Sequence, residues 1–370
     1  MLQITQSLSV QEKSFASVAK QALQSFLKRT DIGFPHLVER VPLWQQSYEV
    51  GQKMRARFKR LVIVGLGGSS LGTRVIAEVF HAKNIFFVDN VDALEFETLI
   101  EDLGELKEVG WVFISKSGTT IESLCALEFL EQIYAQEKLS LGLQSCVISE
   151  TKKSSLVEWG RQHNTPFCEI PVDVGGRFSV LSPVGMMPAA FLGLDLEKIR
   201  RGAGLALQDE ALIEKTIEHV LASFERQEWI TLLWFYNSRL KSFGGWFQQL
   251  WAESLGKAPK PRASTPLWAI GASDQHSILQ QVMEGARDKF VMFLRVEESE
   301  GGSQKLVHTR FPETKDLQGR TMGELLRAEA LATQEALQKN GVSTMTFQTK
   351  VLDEQALGYL FMFWQVVVAG

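Results

Sequence analysis

The stretch VGLGGSSLGTRVI, residues 64–76, decides how the chain is read. The run RLVIV (residues 60–64) leads into it, short and apolar, as suits a buried strand. Glycines at 65, 67 and 68 follow, and a helix is expected to start near Ser70. Strand, glycine-rich turn and helix in that order commonly hold a phosphate. The glycines let backbone N–H groups approach an anion, and the helix start points its positive end at the same place. The dinucleotide fingerprint needs glycine at its first, third and sixth positions. Here the sixth is Ser70, so that pattern fails. The Gly-Lys-Ser/Thr ending of a triphosphate loop is missing too. Asp89, at the end of the next apolar run, stands where a ribose-binding acid would. It keeps a nicotinamide-dependent dehydrogenase open as an alternative.

Working outward, short apolar runs alternate with longer helical patterns, which points to βαβ units and parallel sheets. Strands are expected at residues 60–65, 84–89, 110–115, 144–149 and 165–171, with a helix at 120–136 between two of them. One helical stretch should cover 195–226. The alternation then resumes, with strands at 229–235, 265–270, 289–296 and 342–348 and helices at 238–255, 276–285, 322–338 and 355–368. Residues 297–320 read as one long polar loop. The fold class is α/β. The expected divisions are a helical N-terminal segment (1–54), a first α/β domain (55–194), a helical connection (195–214) and a second α/β domain (215–370).

At 370 residues with 45% apolar content, the chain can bury cores for two domains. A net charge of −4 does not suggest a nucleic-acid or acidic-membrane partner. Cys125, Cys146 and Cys168 are odd in number and lack paired spacing, which suits reduced thiols. The N-terminus has no signal-peptide core, and LGYLFMFWQVVVAG (residues 357–370) is too short for a membrane span. A cytoplasmic protein is the default expectation. No histidine stands at metal-ligand spacing, so no metal is expected.

A second turn bears on the phosphate. The run WVFIS ends in KSGTTIES (residues 116–123), so Ser115, Ser117, Thr119 and Thr120 bring hydroxyls, Lys116 brings charge, and a helix begins. Helix capping explains one such residue, not four of them flanking a glycine. A single phosphate dianion explains the cluster better. With the glycine turn lying against the sugar, a sugar phosphate is the expected ligand. Three further residues stand in plausible places for chemistry. Arg177 follows Gly175 and Gly176, where it can sit beside an anionic intermediate or form a surface salt bridge. Gln249 and Glu253 are four apart and share a helix face. Glu253 lies among Trp246, Phe247, Leu250, Trp251 and Leu255, so it is either a desolvated base or a solvated helical glutamate. His276 follows a strand end, where an imidazole can shuttle a proton or stand idle.

Taken in order, GLGGSSLG, SKSGTTIES, DVGGRFSVLSPVG, QQLWAESLGK and GASDQH resemble the glucose-6-phosphate isomerase family, with a weaker likeness from residue 317 onward. The resemblance spans about 55–370. It implies two sugar-isomerase (SIS) domains, each a mainly parallel sheet flanked by helices, and interconversion of glucose 6-phosphate and fructose 6-phosphate with no cofactor. By the same resemblance, Ser115, Lys116, Ser117 and Thr120 bind the phosphate. Gly67, Gly68 and Ser69 lie near the sugar, and Gln249 touches substrate. Glu253 carries a proton between C1 and C2, Arg177 stabilises the enediolate, and His276 helps open the ring. His276 would be lent by the neighbouring subunit, which implies a homodimer. The family also carries a later FDQxGVExxK-like segment that these 370 residues do not include, so weaker ring opening is expected. A non-catalytic sugar-phosphate sensor on the same fold is the other alternative; the retained Glu253, Arg177 and His276 weigh against it.

Overall fold

The computed structural model describes residues 2–8, 14–257 and 263–370. It divides into two compact units, Met1–Arg29 with Gly202–Gly370, and Thr30–Arg201. The N-terminal residues are therefore not one helical segment. They open with a strand, β1 (Gln3–Leu8), before α1 (Ala16–Leu27). β1 pairs antiparallel with a strand more than 300 residues away, and no local pattern announces such a pairing.

The unit Thr30–Arg201 runs α2 (Val41–Arg57), β2 (Arg60–Val64), α3 (Leu71–Val79), β3 (Ile85–Val88), α4 (Ala93–Leu103), β4 (Val109–Ile114), α5 (Ile121–Gln136), β5 (Ser145–Ser149), α6 (Ser155–Gln162), β6 (Phe167–Glu169) and α7 (Pro183–Leu192). The sheet order is β3-β2-β4-β5-β6, every pair parallel. Every residue of β4 is buried, because helices cover both faces and remove the need for a polar side. Alternate residues still part company. Leu61, Ile63, Val112, Ile114, Cys146 and Ile148 pack under Met54 of α2 and Val184, Met187 and Phe191 of α7. Val62, Val64, Trp111, Phe113 and Val147 pack under Leu127, Leu130 and Tyr134 of α5 and Trp159 of α6. Burial pushes the Tyr134 hydroxyl up to about 12, and it accepts a 2.6 Å bond from Trp111 Nε1.

α8 (Leu196–Gln208) spans the division between the units, and α9 (Glu210–Glu225), β7 (Ile230–Tyr236), α10 (Lys241–Leu255), β8 (Thr265–Ile270), α11 (Gln275–Glu284), β9 (Lys289–Val296), α12 (Met322–Lys339), β10 (Ser343–Thr349) and α13 (Glu354–Ala369) follow. Their sheet has the order β1-β10-β9-β7-β8, parallel except for β1. α11 and α12 cover one face through Val282, Ala330 and Leu337. α10 and α13 cover the other, where Phe243 meets Phe235 and Trp364 meets Phe347. The helix expected over 195–226 is two helices, broken at Asp209, whose carboxylate accepts a 2.7 Å bond from the Tyr359 hydroxyl. The expected loop at 297–320 contains two 3-10 turns, Glu297–Glu300 and Pro312–Leu317, and is tied by a bridge between Lys305 and Thr321. Residues 357–368 of α13 are all buried, yet among the described residues no helix is long and apolar enough to cross a membrane.

Candidate active site

In the unit Thr30–Arg201 the chain passes from β2 to β3 on one side, then crosses to β4 on the other. Open α/β sheets hold ligands in the crevice at such a switch point, outside the carboxyl ends of the strands. The glycine turn leaves β2 there, and the hydroxyl-rich loop leaves β4 beside it.

The hydroxyls of that loop gather on one another. Ser115 Oγ lies 2.8 Å from Thr120 Oγ1 and 3.4 Å from Ser117 Oγ, and Thr119 Oγ1 lies 3.2 Å from Ser117 Oγ. Thr120 occupies the N-cap of α5, but its side chain makes no cap hydrogen bond. Capping therefore does not account for the cluster. Lys116 bridges two neighbours: its Nζ donates to Val172 O at 3.4 Å and lies 3.4 Å from Glu150 Oε1. Glu150 is buried at the end of β5 and also pairs with Lys152 at 2.7 Å. Burial opposes its ionisation, but the two ammonium groups hold its carboxyl below the ordinary range. Sequence reasoning passed over Glu150 and Ser149. Their position at the end of a parallel strand beside β4 was the available signal. Ser149 Oγ donates to Ser115 O at 2.7 Å.

Gly118 sits at φ +67° at the turn of this loop. Its N–H donates to Ser115 Oγ at 3.1 Å, and its carbonyl accepts from Leu156 N at the start of α6, also at 3.1 Å. A Cβ here would fall 2.0 Å from Ser154 Oγ. Gly118→Ala is expected to cost at least about 1–2 kcal/mol from the left-handed backbone alone. A lowered urea midpoint at unchanged slope would register it; an unchanged midpoint would show that the loop accommodates alanine.

The glycine turn is fixed by close approach. A Cβ on Gly68 would fall 2.2 Å from the carbonyl oxygen of Gly176, so only glycine lets the two turns touch. Ser179 Oγ donates to Gly176 O at 2.6 Å and reaches Gly68 O at 3.3 Å. Gly67, Gly68 and Ser69 thus lie directly against the turn that carries Arg177. Arg177 is half-buried, its guanidinium carbon 5.0 Å from the centre of the Phe178 ring. Asp89, the acid on which the nicotinamide alternative drew, is paired with Arg74 at 2.7 Å.

The other unit presents Gln249, Glu253 and His276. Gln249 and Glu253 stand one turn apart on α10. Trp246, Phe247, Leu250 and Trp251 of that helix are buried, and Trp246 and Phe247 meet Phe361 and Trp364 of α13 edge-on. Glu253 does not share that burial: it is exposed in the last turn, so the aromatic residues of α10 do not desolvate it as one sequence reading expected. Gln249 is half-buried; its Oε1 is shielded from solvent and accepts no hydrogen bond from the described residues. His276 is exposed in the first turn of α11. Asp274 pins that turn by accepting from Ile270 N at 2.7 Å, and Gln275 Nε2 pins it by donating to Tyr236 at 2.7 Å and Thr333 at 2.8 Å. At the switch point of this second sheet the chain satisfies itself. Asn237 bonds Ser299 at 2.6 Å, and Arg239 meets Glu298 at 3.1 Å. Among the described residues, no group of three or more His, Cys, Asp or Glu side chains is placed to hold a metal ion.

Two mainly parallel sheets, each flanked by helices, with a hydroxyl- and lysine-bearing loop at one switch point, define an α/β protein of the sugar-isomerase type. Residues 44–350 match the family model of phosphoglucose isomerase. The chain belongs to that family. It is 30% identical to a glucose-6-phosphate isomerase of Rubrobacter xylanophilus, over 100% of this chain and 90% of that protein. It is also 30% identical to one from Campylobacter jejuni, over 92% and 86%. A crystal structure of a Thermus thermophilus protein, 28% identical, superposes with a TM-score of 0.87 over 96% of this chain and 89% of that one.

Proposed function

We infer that the protein is an aldose–ketose isomerase that interconverts glucose 6-phosphate and fructose 6-phosphate through a cis-enediol intermediate. Membership of the phosphoglucose isomerase family is the observation that carries this reading. The gathered hydroxyls of Ser115, Ser117 and Thr120 beside Lys116 support it, since they present donors and positive charge to one phosphate ester. In this reading the phosphate provides binding energy remote from the reacting carbons, which positions them. Gly67, Gly68 and Ser69 border the sugar, and Gln249 offers its unpartnered Oε1 to a sugar hydroxyl. Glu253 takes the proton from one carbon and returns it to the next, on one face of the intermediate. Arg177 stabilises the enediolate oxygen, and His276 assists ring opening. Hydrogen moves as a proton by way of the Glu253 carboxylate, with no electrons gained or lost overall, so no redox cofactor is called for. We further propose that the protein works as a homodimer in which His276 serves the neighbouring subunit's site, in the cytoplasm, in glycolysis and gluconeogenesis.

Glucose 6-phosphate incubated with the protein in deuterated water tests the chemistry. Deuterium should enter at C2 of the glucose 6-phosphate that is re-formed and at C1 of the fructose 6-phosphate that is produced. Sugar phosphate that binds without exchange or conversion would instead mark a sensor on this fold.

A further inference from the structure

We propose that Arg40 and Phe34 are positioning residues for Arg177: they clamp, from outside, the turn that carries it. The inference rests on the isomerase reading above, in which Arg177 faces the intermediate.

Arg177 sits on the 3-10 turn Gly176–Phe178, between β6 and α7, with no regular element of its own to hold it. Two sets of contacts fix that turn. Gly68 and Ser179 grip it from the glycine side. On another flank, residues 33–40 hold both the approach to the turn and its end. Arg40 Nη1 donates to Asp173 Oδ1 at 2.9 Å while its Nη2 donates to Oδ2, a two-pronged pair. The Arg40 guanidinium holds the Asp173 carboxyl below its usual range. Gly33 N donates to Asp173 O at 2.9 Å, so side chain and backbone of Asp173 are both tied to the same short segment. Further along the turn, Phe178 stacks on Phe34, ring centres 4.5 Å apart and planes within 10°. Phe34 is itself 1% exposed, a fixed anvil rather than a mobile surface ring. The Arg177 guanidinium lies over Phe178. The chain of contact is therefore Phe34 to Phe178 to Arg177, with Arg40 and Asp173 locking its origin.

Such a device matters more for geometry than for stability. Arg40 and Asp173 keep 30% and 28% of their side-chain surface exposed, and ion pairs that wet contribute little to folding. A two-pronged guanidinium–carboxylate pair does fix distance and plane. Misplacing a charge-stabilising group by about 1 Å can cost on the order of a hundredfold in rate.

Arg40→Gln is expected to lower kcat at least about tenfold, to change KM for fructose 6-phosphate by less than about threefold, and to shift Tm by no more than about 3 °C. Arg40→Lys should recover part of the rate, since lysine keeps the charge and loses the fork. Phe34→Leu should lower kcat in the same way while remaining a large apolar side chain. If Arg40→Gln fails to fold, Asp173→Asn and Phe34→Leu decide the matter by the same division of kcat from KM. A kcat within twofold of wild type in the folded variants overturns the inference and leaves the isomerase reading standing. So does a loss carried by KM. A wild-type protein that neither exchanges nor converts glucose 6-phosphate overturns that reading, and this inference with it.

Discussion

Glu253→Gln should lower kcat about a thousandfold while leaving the protein folded and still able to bind a sugar-phosphate inhibitor. An aldose–ketose exchange moves one carbon-bound proton to the adjacent carbon, and a group must accept it and hand it back. A carboxylate can do both; a carboxamide of the same shape can do neither. Loss of a positioned general base costs about 10²–10⁴ in rate, and here the same group is asked to act in both half-reactions. Stability should scarcely change. Glu253 is exposed in the last turn of α10, and the aromatic side chains that anchor this helix lie elsewhere on it. Substitutions at such positions are usually within about 0.5 kcal/mol of neutral. Inhibitor binding should survive because, in the proposed roles, affinity comes from Ser115, Lys116, Ser117 and Thr120. The measurements are kcat, the inhibition constant of a non-isomerisable sugar phosphate, and deuterium entry at C2. Turnover within tenfold of wild type would mean that another group moves the proton.

The parts of the molecule legible in the sequence are those specified locally. Parallel strands read as short apolar runs, and β9, buried throughout, and β8, at the sheet edge, both fall at the expected residues. The glycine and hydroxyl turns leave the ends of β2 and β4, as the alternation implied. What stayed hidden depends on distant partners. β1 is a strand because β10 offers it an edge, and QITQSL alone carries no such instruction. The break at Asp209 is held by Tyr359, 150 residues further on. The pairing of Arg40 with Asp173 joins residues 133 apart, so neither looked functional alone. Glu253 shows the opposite limit. Trp246 and Leu250 share its helix face and are buried, but Glu253 lies in the last turn of α10 and is exposed, so neither adjacency nor a shared face settles solvation.

Arg177 should separate charge from geometry. Arg177→Gln is expected to lower kcat about 10²–10³-fold, the usual loss when one preorganised donor to a developing oxyanion is removed. Arg177→Lys should fall between wild type and glutamine. Lysine restores the positive charge, but as a compact, strongly hydrated point on a flexible stem that cannot stack flat on an aromatic ring. In this protein that difference is large, because the guanidinium rests over Phe178, and Phe178 is stacked on the buried Phe34. The support under Arg177 is therefore an aromatic surface matched to a planar cation. KM and the inhibition constant of inorganic phosphate should move much less than kcat in both variants, since the enediolate charge appears only on the way through the reaction. If glutamine instead raised KM and spared kcat, Arg177 would be a ligand of the bound sugar phosphate rather than of the intermediate. Lysine and glutamine failing equally would show that positive charge without the planar fork is worth nothing at this position.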